Sequence, residues 1–244
     1  MTRRSVLAAG AAVVGACAGI RPLHATARPV VVELFTSQGC SSCPPADAFM
    51  GELVGKDGII AVSLNVDYWD YIGWRDTLAS PKHTKRQRTY AAKRSDGRVY
   101  TPQMIINGRG HAVGSDRGGV LRLIDRERRN AATVPVAMRA RDVEIIVKAG
   151  QTTASDLRHK ATLVVMTVTP SVAVDIERGE NTGRQIVYYN VVRAMRPVGA
   201  WRGEAVEIKL ARSQLADGQD GCVYLLQADD SGHILGAAAW RPAT

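Results

Sequence analysis

Val30-Val31-Val32-Glu33-Leu34-Phe35-Thr36-Ser37-Gln38-Gly39-Cys40-Ser41-Ser42-Cys43-Pro44-Pro45 is the stretch on which the fold turns. Its first seven residues are mostly β-branched or aromatic, the composition of a strand buried on both faces. Ser37-Gln38-Gly39 is a short polar turn. Pro44-Pro45 followed by Ala46 to Val54 reads as a helix opening on proline. Strand, turn, C-x-x-C, helix is a setting for redox thiols. The unfilled N–H groups and positive dipole end of a helix N-terminus stabilise a thiolate. A thiolate attacks disulfides, and a second thiol three residues on can resolve the mixed disulfide. A residue before proline avoids the α region, which restricts Cys43 and Pro44, so regular helix is expected from Pro45.

Toward the amino terminus the chain reads as an export signal, residues 1–27. Thr2-Arg3-Arg4-Ser5-Val6-Leu7 is a charged start with a twin-arginine look. Leu7 to Ile20 is apolar but too short, and too rich in Ala and Gly, to span a membrane. Ala25-Thr26-Ala27 offers an A-x-A cleavage site. Val14-Gly15-Ala16-Cys17 offers a competing lipobox, in which Cys17 would carry lipid. On either reading the protein is exported, to the periplasm or beyond, and is not an integral membrane protein. The net charge of +9 falls to +6 once this segment is set aside. That excess suits solubility or an acidic partner. No aromatic-and-basic RNA motif, zinc-finger spacing or basic zipper accompanies it, so nucleic acid is not implied. Of the four cysteines, Cys40 and Cys43 form the natural pair. Cys222 lies in a strand-like run and reads as a small buried hydrophobe.

Downstream, Ile59 to Val66 is a second apolar strand, completing a βαβ unit. Asp67 to Tyr100 is an insertion. Tyr68, Trp69, Tyr71 and Trp74 fall within seven residues and are four of the chain's thirteen aromatics. They read as plugs onto the sheet, with Trp69 the one expected to face out as a substrate platform. Ser80-Pro81 signals a helix start, and Lys82 to Arg94 a basic helix with a solvated face. Thr101-Pro102 leads into an apolar strand, and Asn107-Gly108 into a hairpin turn. The partner strand is Arg109 to Gly114, and Ser115 to Arg129 has helical periodicity.

From Ala132 the period changes to two. Strands are expected at Val134–Arg141, Val143–Ala149, Ala161–Thr169, Val172–Glu177, Gln185–Met195, Ala205–Leu210, Cys222–Ala228 and Ile234–Trp240. Glycine and Arg141-Asp142 turns punctuate them. Repeated strands without helices argue for an antiparallel sandwich or barrel. Two domains are therefore expected: 28–131, α/β, and 132–244, all-β and sandwich-like. Trp201 and Trp240 read as core, His159 and His233 as surface turn residues.

The order of the first domain resembles the thioredoxin fold, with Thr101-Pro102 where that superfamily has its cis-proline loop. More narrowly, VVELFTSQGCSSCPPAD, NVDYWDYIGW, YTPQMIINGR and YYNVVR resemble an exported, thioredoxin-like bacterial family catalogued as domain of unknown function 1223. The resemblance implies a fold but no substrate. It implies that Cys40 is the exposed nucleophile and Cys43 the buried, resolving thiol. It implies a cis Thr101–Pro102 bond that keeps the Thr101 backbone free to receive an extended chain, in the manner of strand addition. It also implies a buried carboxylate near Cys43 to move its proton. Glu33 is the nearest counterpart, but it stands about one residue from the usual position. On a strand that displacement turns a side chain to the other face, which would leave a capped or edge carboxylate instead.

The reading of the residues is thus an exported protein that exchanges thiols and disulfides with a protein partner, with no dissociable organic cofactor. The alternative is a binding protein of the same fold whose cysteines are locked as a structural pair or hold copper(I). A four-residue disulfide ring removes little chain entropy, which counts against a purely stabilising pair. Zinc would need two more ligands, and His83 and His111 lack ligand-like spacing. Two thiolates alone suit copper(I).

Overall fold

Strand β1 (Val30–Thr36) is buried along its whole length. In the computed structural model, which describes residues 29–130, 134–141, 143–152, 160–214 and 221–240, it lies inside the main sheet. The segment expected to be an export signal, with Cys17, and His159 lie outside the described residues. Strand β1 pairs in parallel with β2 (Ile59–Asn65), from Val30↔Ile59 to Thr36↔Asn65. On its other side it pairs antiparallel with β3 (Gln103–Ile106), which pairs with β4 (Gly110–Val113). Alternation sorts its side chains. Val30, Val32 and Leu34 pack with Phe49, Met50 and Leu53 of α1 (Pro44–Val54) and Val120 and Ile124 of α3 (Arg117–Arg129). Val31 and Phe35 pack on the opposite face with Tyr90 of α2 (Pro81–Arg94). Each such apolar side chain taken out of water contributes about 1.5–3 kcal/mol.

Local chemistry sets the helix ends. Ser80 caps α2, its hydroxyl accepting from the Lys82 N–H at 3.3 Å, and Ser95 ends it in the left-handed region at φ 62°. Asn107 and Gly108, at φ 48° and 66°, turn the β3–β4 hairpin. Helix α1 begins one residue earlier than expected, at Pro44, because Cys43 itself takes an α conformation (φ −78°, ψ −36°). Its carbonyl accepts from the N–H groups of Ala46 (2.8 Å) and Asp47 (3.1 Å). Those bonds satisfy donors that every helix leaves open, and they outweigh the pre-proline bias.

The second half is a β-sandwich joined to the first without a break in the sheet. Its strands are β5 (Val136–Ala140), β6 (Glu144–Ala149), β7 (Ala161–Asp175), β8 (Gln185–Trp201), β9 (Val206–Ala211), β10 (Gly221–Ala228) and β11 (Ile234–Trp240). The main sheet has eight strands in the order β11-β10-β7-β8-β2-β1-β3-β4, and β5-β6-β9 form a second sheet. Ile145, Val147, Leu163, Val165, Trp201, Tyr224 and Leu226 fill the space between the two sheets. The join is the Ser63↔Val191 pairing of β2 with β8. The two strands expected around Pro170 are one, β7. Its pairing with β8 passes from Thr169↔Val191 to Ser171↔Tyr189, stepping over Pro170, which has no N–H to give. The long β7–β8 hairpin consequently reaches back to α1 and the insertion, where Ile176, Ile186 and Tyr188 pack with Leu78 and Trp74.

Candidate functional site

Cys40 and Cys43 form a disulfide, Cα to Cα 5.4 Å, at the N-terminus of α1. The loop that carries them is wound by its own backbone: Cys40 N–H donates to Ser37 O at 3.1 Å and Cys43 N–H to Cys40 O at 3.2 Å. Ser41 and Ser42 are exposed, whereas Cys43 is sealed and Cys40 is only 2% exposed. The expected exposed nucleophile is therefore covered, and the insertion packs against the loop just before it. A Cβ on Gly39 would stand 3.2 Å from the Ile72 side chain and 3.3 Å from Trp69 Cβ, so the loop approaches the insertion as closely as a glycine permits.

Polar tethers hold that cover down. Asp76 Oδ2 accepts from the Gln38 N–H at 2.8 Å and from Asn65 Nδ2 at 2.9 Å. Trp74 Nε1 donates to Gln38 Oε1 at 2.7 Å. From the β7–β8 hairpin, Asn181 Nδ2 donates to the carbonyls of Gln38 (2.8 Å) and Cys40 (3.0 Å). Asn181 and Asp76 were not among the residues singled out by sequence. Asn181 sits in a polar loop that says nothing of its partner 141 residues away.

The Thr101–Pro102 bond is cis. Pro102 is buried beside α1. A Cβ on Gly114 would meet Ala46 Cβ at 2.9 Å, Leu34 at 3.1 Å and Pro102 Cβ at 3.2 Å. Both ladders of β3 begin at Gln103, so the Thr101 main chain belongs to neither. Trp69 Nε1 donates to Thr101 Oγ1 at 2.7 Å, which ties the insertion to the proline loop. Trp69 is only half-exposed. The outermost ring is Tyr71, 79% exposed and stacked on Trp69 with centroids 6.4 Å apart. Cys40, Cys43, Thr101, Pro102 and Trp69 are thus gathered at one end of the sheet.

Glu33 is not in that gathering. It lies on the α2 face, across the sheet from α1, and is fully buried. Arg86 holds it through two bonds, Nε to Oε1 at 2.5 Å and Nη2 to Oε2 at 3.1 Å. The Tyr90 hydroxyl donates to Oε2 at 2.5 Å. Arg86 also donates to Gln227 Oε1 at 3.0 Å, so the network fastens β1, α2 and β10 together. The helix read as a solvated basic face therefore sends one cation inward.

On the disulfide's side, besides Asp76, stands Asp47, in α1 one turn beyond Cys43. It is fully buried and has no hydrogen-bond partner on either oxygen among the described residues. Burial pushes its carboxyl up to about 8; the nearby Thr36 hydroxyl pulls the other way, and the Asp76 charge adds to the rise. Asp76 is itself raised by burial, against the bonds from Asn65, Gln38 and Leu78. An acid on an otherwise apolar helix face (Ala46, Phe49, Met50) was the only sequence signal for Asp47.

The remaining candidates are spoken for. His83 Nδ1 meets Asn65 O at 2.9 Å, and His111 lies between Tyr100 Oη (2.7 Å) and Asp96 Oδ2 (3.0 Å). Among the described residues no three His, Cys, Asp or Glu side chains are grouped to hold a metal ion. Cys222 is buried in the sandwich core, its sulfur 4.0 Å from Met138 Sδ, and burial pushes its thiol up to about 11. No helix of the described residues is long and apolar enough to cross a membrane.

The crystal structure of protein AGR_C_4864 from Agrobacterium tumefaciens is similar to this chain, with a TM-score of 0.77 and 36% identity over 88% of this chain and 94% of that one. HBP35 of Porphyromonas gingivalis, 11% identical, shares the fold with a TM-score of 0.58 over 88% and 76% of the two chains. No curated protein matches the sequence. The disulfide, the cis-proline loop, the insertion and most of the sandwich fall within residues 31–227, which match the family described as protein of unknown function DUF1223, and the chain belongs to that family.

Proposed function

We propose that the protein is an exported thiol–disulfide exchange protein acting on a polypeptide partner, with Cys40 forming the mixed disulfide and Cys43 resolving it. The observation that carries this reading is the disulfide at the start of α1 beside a cis-proline loop whose Thr101 backbone is outside both ladders. A partner thiolate attacks Cys40 Sγ, the Cys40–Cys43 bond breaks, and Cys43 leaves as a thiolate. In reverse, Cys43 attacks Cys40 and releases the partner thiolate. An extended partner segment adds its main chain to Thr101, with Trp69 and Tyr71 as the apolar wall. Because Cys40 is covered, the insertion must lift for the attack.

That same cover supports a second reading, a binding protein with a permanently closed pair. Alkylation of the mature protein before and after mild reduction separates the two. Thiol exchange requires two thiols that appear on reduction and close again on oxidation. It also requires a Cys43→Ser variant that traps a partner covalently through Cys40. A pair that neither reopens reversibly nor traps a partner would sink the first reading. One equivalent of copper(I) bound by the reduced pair, and lost in either cysteine variant, would favour a metal-holding protein instead.

A further inference from the structure

On the α2 side of the main sheet, away from α1, a groove of about 350 Å³ lies where the two halves of the chain meet. Lys82, Lys85, Tyr90 and Lys93 line it from one flank of α2, and Met195 of β8 and Gln227 of β10 line it from the sheet. Residues at such spacing share a helix face. The size is that of a small-molecule site. Its floor is apolar. Tyr90 is 1% exposed, and half-buried Met195 packs against the same core cluster.

The cations along the groove are unequally answered. At one end Lys93 Nζ donates to the main-chain carbonyls of Asp229 and Asp230. The Asp229 carboxylate, which accepts from Thr162 Oγ1 at 2.7 Å, adds a negative charge there. In the middle Arg86 is neutralised by Glu33. At the other end Lys82 and Lys85 are exposed, and neither ammonium has a hydrogen-bond or ion-pair partner among the described residues. They stand near the start of α2, about 4.5 Å apart along its axis, where the helix dipole adds positive potential. The wall between the two ends is fixed. Arg86 donates to Glu33, Gln227 and Tyr90, and Gln227 Nε2 donates to Tyr90 Oη at 2.9 Å and to Gly232 O at 2.7 Å. Of the five guanidinium N–H groups, one on Nη1 is left without a partner among the described residues.

A groove that is cationic at one end, apolar along its floor and acidic at the other selects an asymmetric ligand. We propose that it binds a small amphiphilic anion, a carboxylate or phosphate headgroup on a short apolar body. The headgroup lies between Lys82 and Lys85, and the body runs along Tyr90 and Met195. The lysine stems extend the apolar wall while their ammonium groups meet the headgroup. A bare inorganic anion leaves the floor unfilled, and a neutral or cationic amphiphile leaves both ammonium groups unanswered. A polyanion long enough to follow the whole groove is repelled at Asp229. The site lies apart from the cysteine pair, and the inference stands whether or not that pair exchanges thiols.

The test titrates octanoate and octyl phosphate into the protein with isotope-labelled methionine methyl groups, the Met195 resonance being assigned through Met195→Leu. At least one of the two is expected to bind with a Kd on the order of 0.1–1 mM and to move the Met195 methyl most. Acetate and octylamine at the same concentrations should leave that resonance in place. Hexanoate, shorter by two methylenes, should bind roughly 10-fold more weakly than octanoate. Replacing both exposed lysines, Lys82→Ala with Lys85→Ala, is expected to weaken binding about 5–10-fold and leave the urea unfolding midpoint unchanged. The headgroup and chain-length comparisons use the wild-type chain and stand even if the double variant unfolds. The proposal is overturned by an unmoved Met195 resonance with both probes, by equal shifts from octylamine and octanoate, or by undiminished binding to a folded double variant.

Discussion

Two fully buried carboxylates, Glu33 and Asp47, lie on opposite faces of one sheet, and the fold treats them in opposite ways. Glu33 receives three donors, two from Arg86 and one from Tyr90. Asp47 receives none that meets hydrogen-bond geometry among the described residues. The first is a charge built into a clamp; the second is a charge the fold declines to stabilise. Burial alone therefore does not decide whether a carboxylate is held as a charge. What separates the two is whether donors answer the charge.

The largest expected effect breaks the Glu33 side of this contrast. Arg86→Met leaves Glu33 buried with only the Tyr90 hydroxyl and no cation, and is expected to cost about 3–5 kcal/mol in urea unfolding at neutral pH. Adding Glu33→Gln to Arg86→Met should recover much of that loss, because it removes the stranded charge. A loss under about 1 kcal/mol in the single variant would mean that the clamp is not what holds α2 to β1 and β10.

On the other face the sign reverses. The Asp47 pKa is raised from 3.8 in the unfolded chain to about 8 in the folded protein. The stability tied to its proton is fully present below about pH 4 and is lost as pH rises through 8. Asp47→Asn removes that dependence. It is expected to stabilise the protein by about 2–4 kcal/mol at pH 9, a figure set below the full linkage value to allow for relaxation around the site. Asp76, also raised by burial, leaves a smaller slope of the same sign. Unfolding curves across pH check this, and a variant with undiminished slope would show that another group carries it.

What could be read in advance, and what could not, divides by the range of the cause. The βαβ unit, the Ser80-Pro81 helix start and the Asn107-Gly108 turn follow from neighbours in sequence, and each stands where its residues placed it. Period two along β1 already raised the possibility that Glu33 faces away from the cysteines. Asp47 was not legible, because an acid in the first turn of a helix is ordinary dipole chemistry. Only β8, arriving after the long β7–β8 hairpin, closes over that helix face. Gly51 shows how closely: a Cβ there would stand 2.7 Å from the Tyr189 ring. The cover over Cys40 was hidden for the same reason, since half its tethers come from the hairpin.

Asn181 tests that long-range dependence. Asn181→Ala strands the Gln38 carbonyl and leaves the Cys40 carbonyl with the Cys43 N–H alone. A loss of about 1–3 kcal/mol is expected, together with faster amide exchange in residues 38–43 than elsewhere in the sheet. If only global stability falls, the sandwich half supports the fold without governing the cysteine loop.

The smallest expected effect separates a lid from a wall. Trp69→Phe keeps most of the ring surface but removes the Nε1–Thr101 bond. Its cost in stability should be about 1 kcal/mol, the net value of one hydrogen bond. Tyr71→Ala, at an exposed ring, should change stability by no more than about 0.5 kcal/mol. Their effects on chemistry should differ in kind. If the insertion must lift for Cys40 to react, freeing Trp69 from Thr101 speeds reduction by a small thiol, whereas removing Tyr71 leaves that rate alone and weakens only capture of a polypeptide. Equal rates for Trp69→Phe and wild type would mean that the small thiol reaches Cys40 by a path the Trp69–Thr101 bond does not control. The exposed Ser41-Ser42 edge is the nearest such path, because Ser42 Oγ lies 3.4 Å from Cys40 Sγ.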